Sequence, residues 1–223
     1  MTEWERVLSV DGARAYYDRF GKLQDTQGFY EQPALRVLAA QAEFQKARRV
    51  FEFGCGTGKF AAELLQSLLP PEASYLGCDV SPVMVDLARR RLQGLGDRAQ
   101  VQLSDGALRF PLADHSVDRV VASYVLDLLC GADIARFLVE SRRVLSTDGR
   151  CSIASLSRGT TWPSRLVARV WRSVFRLRPS LVGGCRPIDL SIYVDPQHWR
   201  VLHRRVVTPF GVPTEVLTLT PTP

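Results

Sequence analysis

Four residues spaced by two, Glu52, Gly54, Gly56 and Gly58 in VFEFGCGTGKFAAELL, join a carboxylate to three backbone positions without a Cβ. Glycine tolerates positive φ and lets another group reach contact distance of the main chain. The stretch passes from an apolar run into a helical pattern, the strand, loop and helix against which open α/β sheets hold their ligands. Its spacing sorts the chemistries a glycine loop can serve. A dinucleotide fingerprint, GxGxxG, needs glycine where Lys59 stands, and a Walker loop needs serine or threonine where Phe60 stands. Both readings lose ground to a ligand gripped by closely spaced amides and an acid.

Further polar residues follow successive apolar runs. Asp79 ends the run in YLGCDVSPVMVDLARRR, just before Ser81, which reads as a helix N-cap, and Pro82 at the first helical position. Asp105 follows the third run in VQLSDGALRFPLAD, and Ser123 and Tyr124 follow the fourth in VVASYVLDLL.

The elements that must position these residues alternate from Val50 onward. Apolar runs RRVFEF, ASYLGCDV, AQVQLSD, VDRVVASYV and GRCSIASL are separated by helical patterns near 59–69, 82–93 and 132–145. That alternation predicts an α/β fold with a parallel sheet. STDGR, residues 146–150, reads as a turn into the fifth run. Before it all lie two helical stretches, ARAYYDRF and FYEQPALRVLAAQAEF. After a basic helical segment come HWRVLHRRVVTPF and VPTEVLTLT, whose short connection at Gly211 predicts an antiparallel pair.

With 223 residues, 46% hydrophobic and 23% charged, the chain has the composition of one globular domain with a sizeable core. No apolar run approaches the roughly 20 residues of a membrane span. Acids at the start of MTEWERVLSV argue against a secretory signal, and five cysteines without ligand spacing read as free thiols of a cytoplasmic protein that binds no metal. The net charge of +6 is uneven: ten arginines against Asp189 and Asp195 give +8 over 158–205, leaving −2 elsewhere.

From about Tyr16 to Leu156 the pattern resembles the class I S-adenosylmethionine-dependent methyltransferases. The resemblance implies a Rossmann-like fold with a seven-stranded, mostly parallel sheet, an antiparallel last hairpin and helices on both faces. It further implies that Glu52, Gly54, Cys55, Gly56 and Gly58 meet the methionine part of S-adenosyl-L-methionine, and that Asp79, with Val80 beside it, binds the ribose hydroxyls. Met84 would pack on adenine, Asp105 with Gly106 and Ala107 would bond its edge, and Ser123 would run under the methionine portion. FPLADHSVDRVVAS and YYDRFGKLQDTQGFYE are similar to the ubiquinone/menaquinone-biosynthesis branch, where Tyr16 or Tyr17 would touch the cofactor. Many relatives carry histidine near the position of Asp127.

Within that resemblance, residues 1–47 form a helical lid, 48–157 the cofactor-binding core, 158–198 a basic helical insertion and 199–223 the hairpin. The expected reaction is in-line methyl transfer to a small-molecule or lipid- or quinone-like acceptor. The alternatives are a non-catalytic S-adenosylmethionine-binding module and a nicotinamide-dependent oxidoreductase. A base is needed only if the acceptor must lose a proton, and the candidates are Tyr124, Asp127 and His198. No Asn/Asp-Pro-Pro-Tyr/Phe segment or Pro-Cys nucleophile follows the fourth run, which disfavours nucleic acid despite a pI of 9.3. Arg165, Arg169, Arg172 and Arg176 form one stripe of an amphipathic helix opposite Leu166, Val167, Val170, Trp171, Val174 and Phe175. Such a helix either packs its apolar face on the core or meets an anionic membrane surface or lipid-like acceptor.

Overall fold

A computed structural model describes residues 7, 9–21 and 28–222. Much of MTEWERVLSV and the 22–27 part of YYDRFGKLQDTQGFYE lie outside the described residues. Seven strands form one sheet: β1 (Arg49–Phe53), β2 (Ser74–Asp79), β3 (Ala99–Leu103), β4 (Val117–Ser123), β5 (Leu145–Leu156), β6 (Trp199–Val207) and β7 (Thr214–Pro221). Their order is β3-β2-β1-β4-β5-β7-β6. The first five are parallel, and β7 runs antiparallel between β5 and β6, so the alternating pattern and the closing hairpin are both realised.

Val50, Phe51, Glu52 and Phe53 are all buried in β1. A central strand covered on both faces reads as a continuous apolar run. One covering layer is α2 (Gly28–Ala42), α3 (Lys59–Glu63) and α4 (Pro82–Leu92), which bury Leu38, Ala61, Met84 and Ala88. The other face holds α5 (Gly131–Val144), whose Ile134 and Phe137 meet Phe51, Phe53 and Phe110. Arg119, buried in β4, donates to the carbonyls of Ala42 and Glu43 and so caps the C-terminus of α2 against the sheet. The first helix, α1 (Val10–Phe20), lies against α4.

Two local expectations change. β5 already begins at Leu145, so STDGR is absorbed into a strand whose pairing with β4 shifts register between Val117 and Arg119. In α6 (Trp162–Leu177) the buried residues are Ser164, Ala168 and Phe175, with Trp171 half-buried, whereas Leu166 and Val170 are exposed. The arginine stripe therefore does not stand opposite a fully buried apolar face.

Candidate functional site

Strand order reverses between β1 and β4, and ligands of open sheets bind beyond the strand ends at such a point. The loop after β1 is fixed there by its own backbone. The amides of Gly54 and Cys55 both donate to the Cys78 carbonyl at the end of β2, at 2.9 and 3.0 Å. From α4, Arg91 donates to the carbonyl and Oγ1 of Thr57 at 2.9 and 2.6 Å.

All three loop glycines have positive φ, 74°, 51° and 71°, so each position strains an L side chain. Their surroundings differ. A Cβ at Gly54 would lie 2.7 Å from Val125, and one at Gly58 would lie 3.0 Å from Ala88. A Cβ at Gly56 would meet nothing within 4 Å. Gly54 and Gly58 thus serve packing, and the middle glycine opens into a cleft of about 1100 Å³, its mouth included.

Asp79 faces the same cleft. Its Oδ2 accepts from the Gly56 amide and its Oδ1 from the Ser81 amide, each at 2.9 Å. Each carboxylate oxygen keeps a second acceptor position, enough for a pair of adjacent hydroxyls. Burial raises its pKa, and the amides oppose that rise.

Glu52, 1% exposed, accepts from Tyr75 Oη at 2.6 Å and from Ser123 Oγ at 3.4 Å. Burial pushes its carboxyl up to about 7, against those two hydrogen bonds. At the cleft floor such an acid matches an ammonium, which would favour its charged form. Val80 and Met84 add apolar lining, and Cys55 and Ser123 complete the wall nearest β1 and β4.

Two elements from outside the sheet close over the cleft. Arg14 of α1 donates to the Val80 carbonyl at 2.9 Å, and Ser81 Oγ donates to Asp18 at 2.5 Å. This seats Ala13 and Tyr17 in the lining. From α2 come Gly28, Glu31, Gln32 and Leu35, with Gln32 donating to Glu63 of α3 at 2.9 Å.

Several expected residues stand elsewhere. Tyr16 is outside the lining and packs against Gly183, so of the two tyrosines Tyr17 reaches the cleft. Asp105 is exposed and accepts from the Ala107 amide in a local turn, Gly106 is covered by Val10, and neither they nor Ala107 line the cleft; Ser104 does. Asp127, 0% exposed, lies under the cleft wall with Oδ2 accepting from the Leu156 amide, and burial pushes it up to about 7. His198 sits at the sheet's edge, exposed, 3.8 Å from Asp195. Neither is placed to act as a base on a ligand in the cleft. Tyr124 is in the lining with φ 53°, its Oη 3.1 Å from Thr214 Oγ1, and burial raises its pKa.

The spacing of 28, 31, 32 and 35 on α2 is one helix face. Polar residues on the inward side of a core helix were the signal that could have placed Glu31 and Gln32.

Residues 50–149 match the family model described as a methyltransferase domain. Over 149 residues the chain is 29% identical to the tRNA N(3)-methylcytidine methyltransferase Mettl2 of Drosophila melanogaster, covering 66% of this chain and 44% of that protein. Over 127 residues it is 32% identical to the demethylmenaquinone methyltransferase of Lactobacillus johnsonii, covering 56% and 50%. The chain spans about half the length of these relatives. Its fold superposes on the cyclase SpnF with a TM-score of 0.63 at 17% identity, covering 83% of this chain and 79% of that one. Residues 50–149 thus match a methyltransferase domain, and the cofactor that such a domain implies is S-adenosylmethionine. The chain's likeness to demethylmenaquinone methyltransferases sets it beside the menaquinone-type branch. The residues present fit that cofactor: an open Cβ direction at Gly56, a buried acid and a strand-end carboxylate with two acceptor positions to spare.

Proposed function

We propose that the protein transfers a methyl group to a small, largely apolar acceptor, and that Gly56, open to the cleft between Glu52 and Asp79, is the observation that carries this reading. When bound, S-adenosylmethionine supplies an electrophilic methyl. In this reading Asp79 holds the ribose hydroxyls, Glu52 the ammonium, Met84 and Val80 the base. The chain's task is to hold two reactants in line, and such orientation lowers a barrier by about 7–11 kcal/mol. Tyr17, Tyr124, Val125 and Leu128 supply aromatic and apolar wall toward the acceptor. With Asp127 buried, His198 remote and Tyr124 held protonated, the acceptor is one that is nucleophilic itself or acidic enough to lose its proton to water. The same observation favours a second reading, a cofactor-binding module without turnover. A nicotinamide-dependent reaction is the third. Cytoplasmic localisation belongs to the same proposal.

Calorimetric titration with S-adenosylhomocysteine beside NADH separates these. Micromolar binding of the former and none of the latter is expected, and preference for NADH would overturn the assignment. Methyl transfer to a panel of phenolic and quinol acceptors then separates enzyme from module.

The titration carries a pH signature. Burial raises Glu52 and Asp127 above their unfolded values, so their contribution to stability is complete below the ordinary carboxylate range and is lost as pH rises through about 7. Ligand binding moves the other way, because an ammonium needs Glu52 ionised. Affinity for S-adenosylhomocysteine is expected to rise up to about tenfold from pH 6 to pH 8, with Glu52→Gln flattening the profile. A flat wild-type profile would remove Glu52 from that role.

A further inference from the structure

Seven arginines and no acid lie between Arg158 and Pro187. At about 100° per residue, α6 places Arg165, Arg169 and Arg176 in one narrow sector. Trp162, Leu166, Val170 and Leu177 occupy the adjoining sector, and the buried Ser164, Ala168 and Phe175 lie on the opposite side. The solvent face is thus half cationic and half apolar. Trp162 is 76% exposed, Val170 57% and Leu177 83%, and Leu181 just beyond the helix is 67% exposed.

The apolar half extends onto two other elements. The β6–β7 turn lies beside α6, with Val167 3.4 Å from where a Cβ of Gly211 would stand. That turn presents Phe210, 79% exposed, whose ring meets Phe29 of α2 edge-on with centroids 5.4 Å apart. Phe210 has φ 51°, a conformation for which glycine or asparagine is the cheaper choice. Three segments distant in sequence therefore converge on one exposed apolar surface bordered by arginines, where single scattered side chains would need no explanation.

The composition of the face selects its occupant. A nucleic acid would engage the guanidinium groups and stack bases on the tryptophan and phenylalanine, but would leave the aliphatic Leu166, Val170, Leu177 and Leu181 in water. An anionic lipid surface takes both halves, with phosphates on the arginines and the apolar side chains about 5–10 Å into the headgroup boundary. No helix among the described residues is long and apolar enough to cross a membrane, so the contact is peripheral. We propose that this face docks the protein on an anionic lipid bilayer. Phe29 directly follows Gly28 of the cleft lining, and Tyr30 meets Tyr124 and Trp171 edge-on, with ring centroids 5.8 and 6.5 Å apart. Docking would set the cleft beside the bilayer, whatever reaction the cleft performs.

The test is co-sedimentation of the full chain with vesicles of phosphatidylglycerol and phosphatidylcholine, beside vesicles of phosphatidylcholine alone. Partition onto the anionic vesicles at low salt, weakened by high salt, is expected. Arg165→Gln with Arg169→Gln, and separately Phe210→Asn with Leu177→Ser, are each expected to weaken it about tenfold or more. Phe210→Asn keeps a residue suited to positive φ, so its thermal midpoint and S-adenosylhomocysteine binding should stay at wild-type values. Absence of binding to anionic vesicles at low salt overturns the proposal. So does loss in the arginine pair alone with equal retention on RNA, which would mean polyanion contact. A concentration-dependent dimer dissolved by Phe210→Asn with Leu177→Ser would assign the face to a second copy and overturn it too.

Discussion

Replacing Asp79 by alanine is expected to weaken S-adenosylhomocysteine binding by about 100-fold or more, the largest loss for any single side chain of the cleft. Hydrogen bonds to a charged group contribute about 1.5–3 kcal/mol each, and two adjacent hydroxyls would lose both together. The same carboxylate also accepts from Gly56 and Ser81, so alanine leaves two amides of the loop and the α4 N-terminus without their acceptor. Asp79→Asn separates these effects. It keeps the side chain's shape and one oxygen, but turns an NH2 toward one of those amides. Both variants should bind poorly in calorimetry while thermal unfolding still shows a cooperative transition. An Asp79→Asn protein that binds like wild type would remove the ribose role and leave Asp79 as a clamp between loop and helix.

What was legible in the sequence follows a physical division. The sheet was legible because its central strands are covered on both faces and must be largely apolar, as Val50, Phe51 and Phe53 around the one acid Glu52 are. The glycine loop was legible because positive φ and close approach leave glycine little competition at 54, 56 and 58. The base candidates were not, because whether an acid faces a cleft or a core depends on one turn of backbone. Asp127 lies three residues beyond Tyr124, yet the short helical turn at Leu126–Leu128 carries it under the wall while Tyr124 stays in the lining. Asp105 was placed on the right loop, but its side chain is used by its own turn, with Ser104 facing the cleft instead. The α6 stripe was read correctly as cationic. Whether Leu166 and Val170 meet the core or a lipid surface was not legible, because periodicity gives a face and not what covers it.

The division of labour among the glycines predicts an inversion between stability and binding. Gly54→Ala places a methyl 2.7 Å from Val125 Cγ2 and 2.9 Å from its Cβ, in a backbone with φ 74°. Overpacking of that kind costs about 1–3 kcal/mol, and the left-handed conformation adds about 1–2 kcal/mol. A loss near 3 kcal/mol lowers the thermal midpoint of a chain this size by roughly 6–12 °C. Gly56→Ala carries only the backbone part, since its methyl meets nothing, so its midpoint should fall by about 2–8 °C. That methyl nevertheless stands in the cleft, where a ligand must approach the loop amides. Gly56→Ala is therefore expected to be the more stable variant and the weaker binder, by at least about tenfold. Scanning calorimetry and S-adenosylhomocysteine titration below both midpoints check this on the same samples. If the two variants bind alike, the open direction at Gly56 is not where the ligand lies.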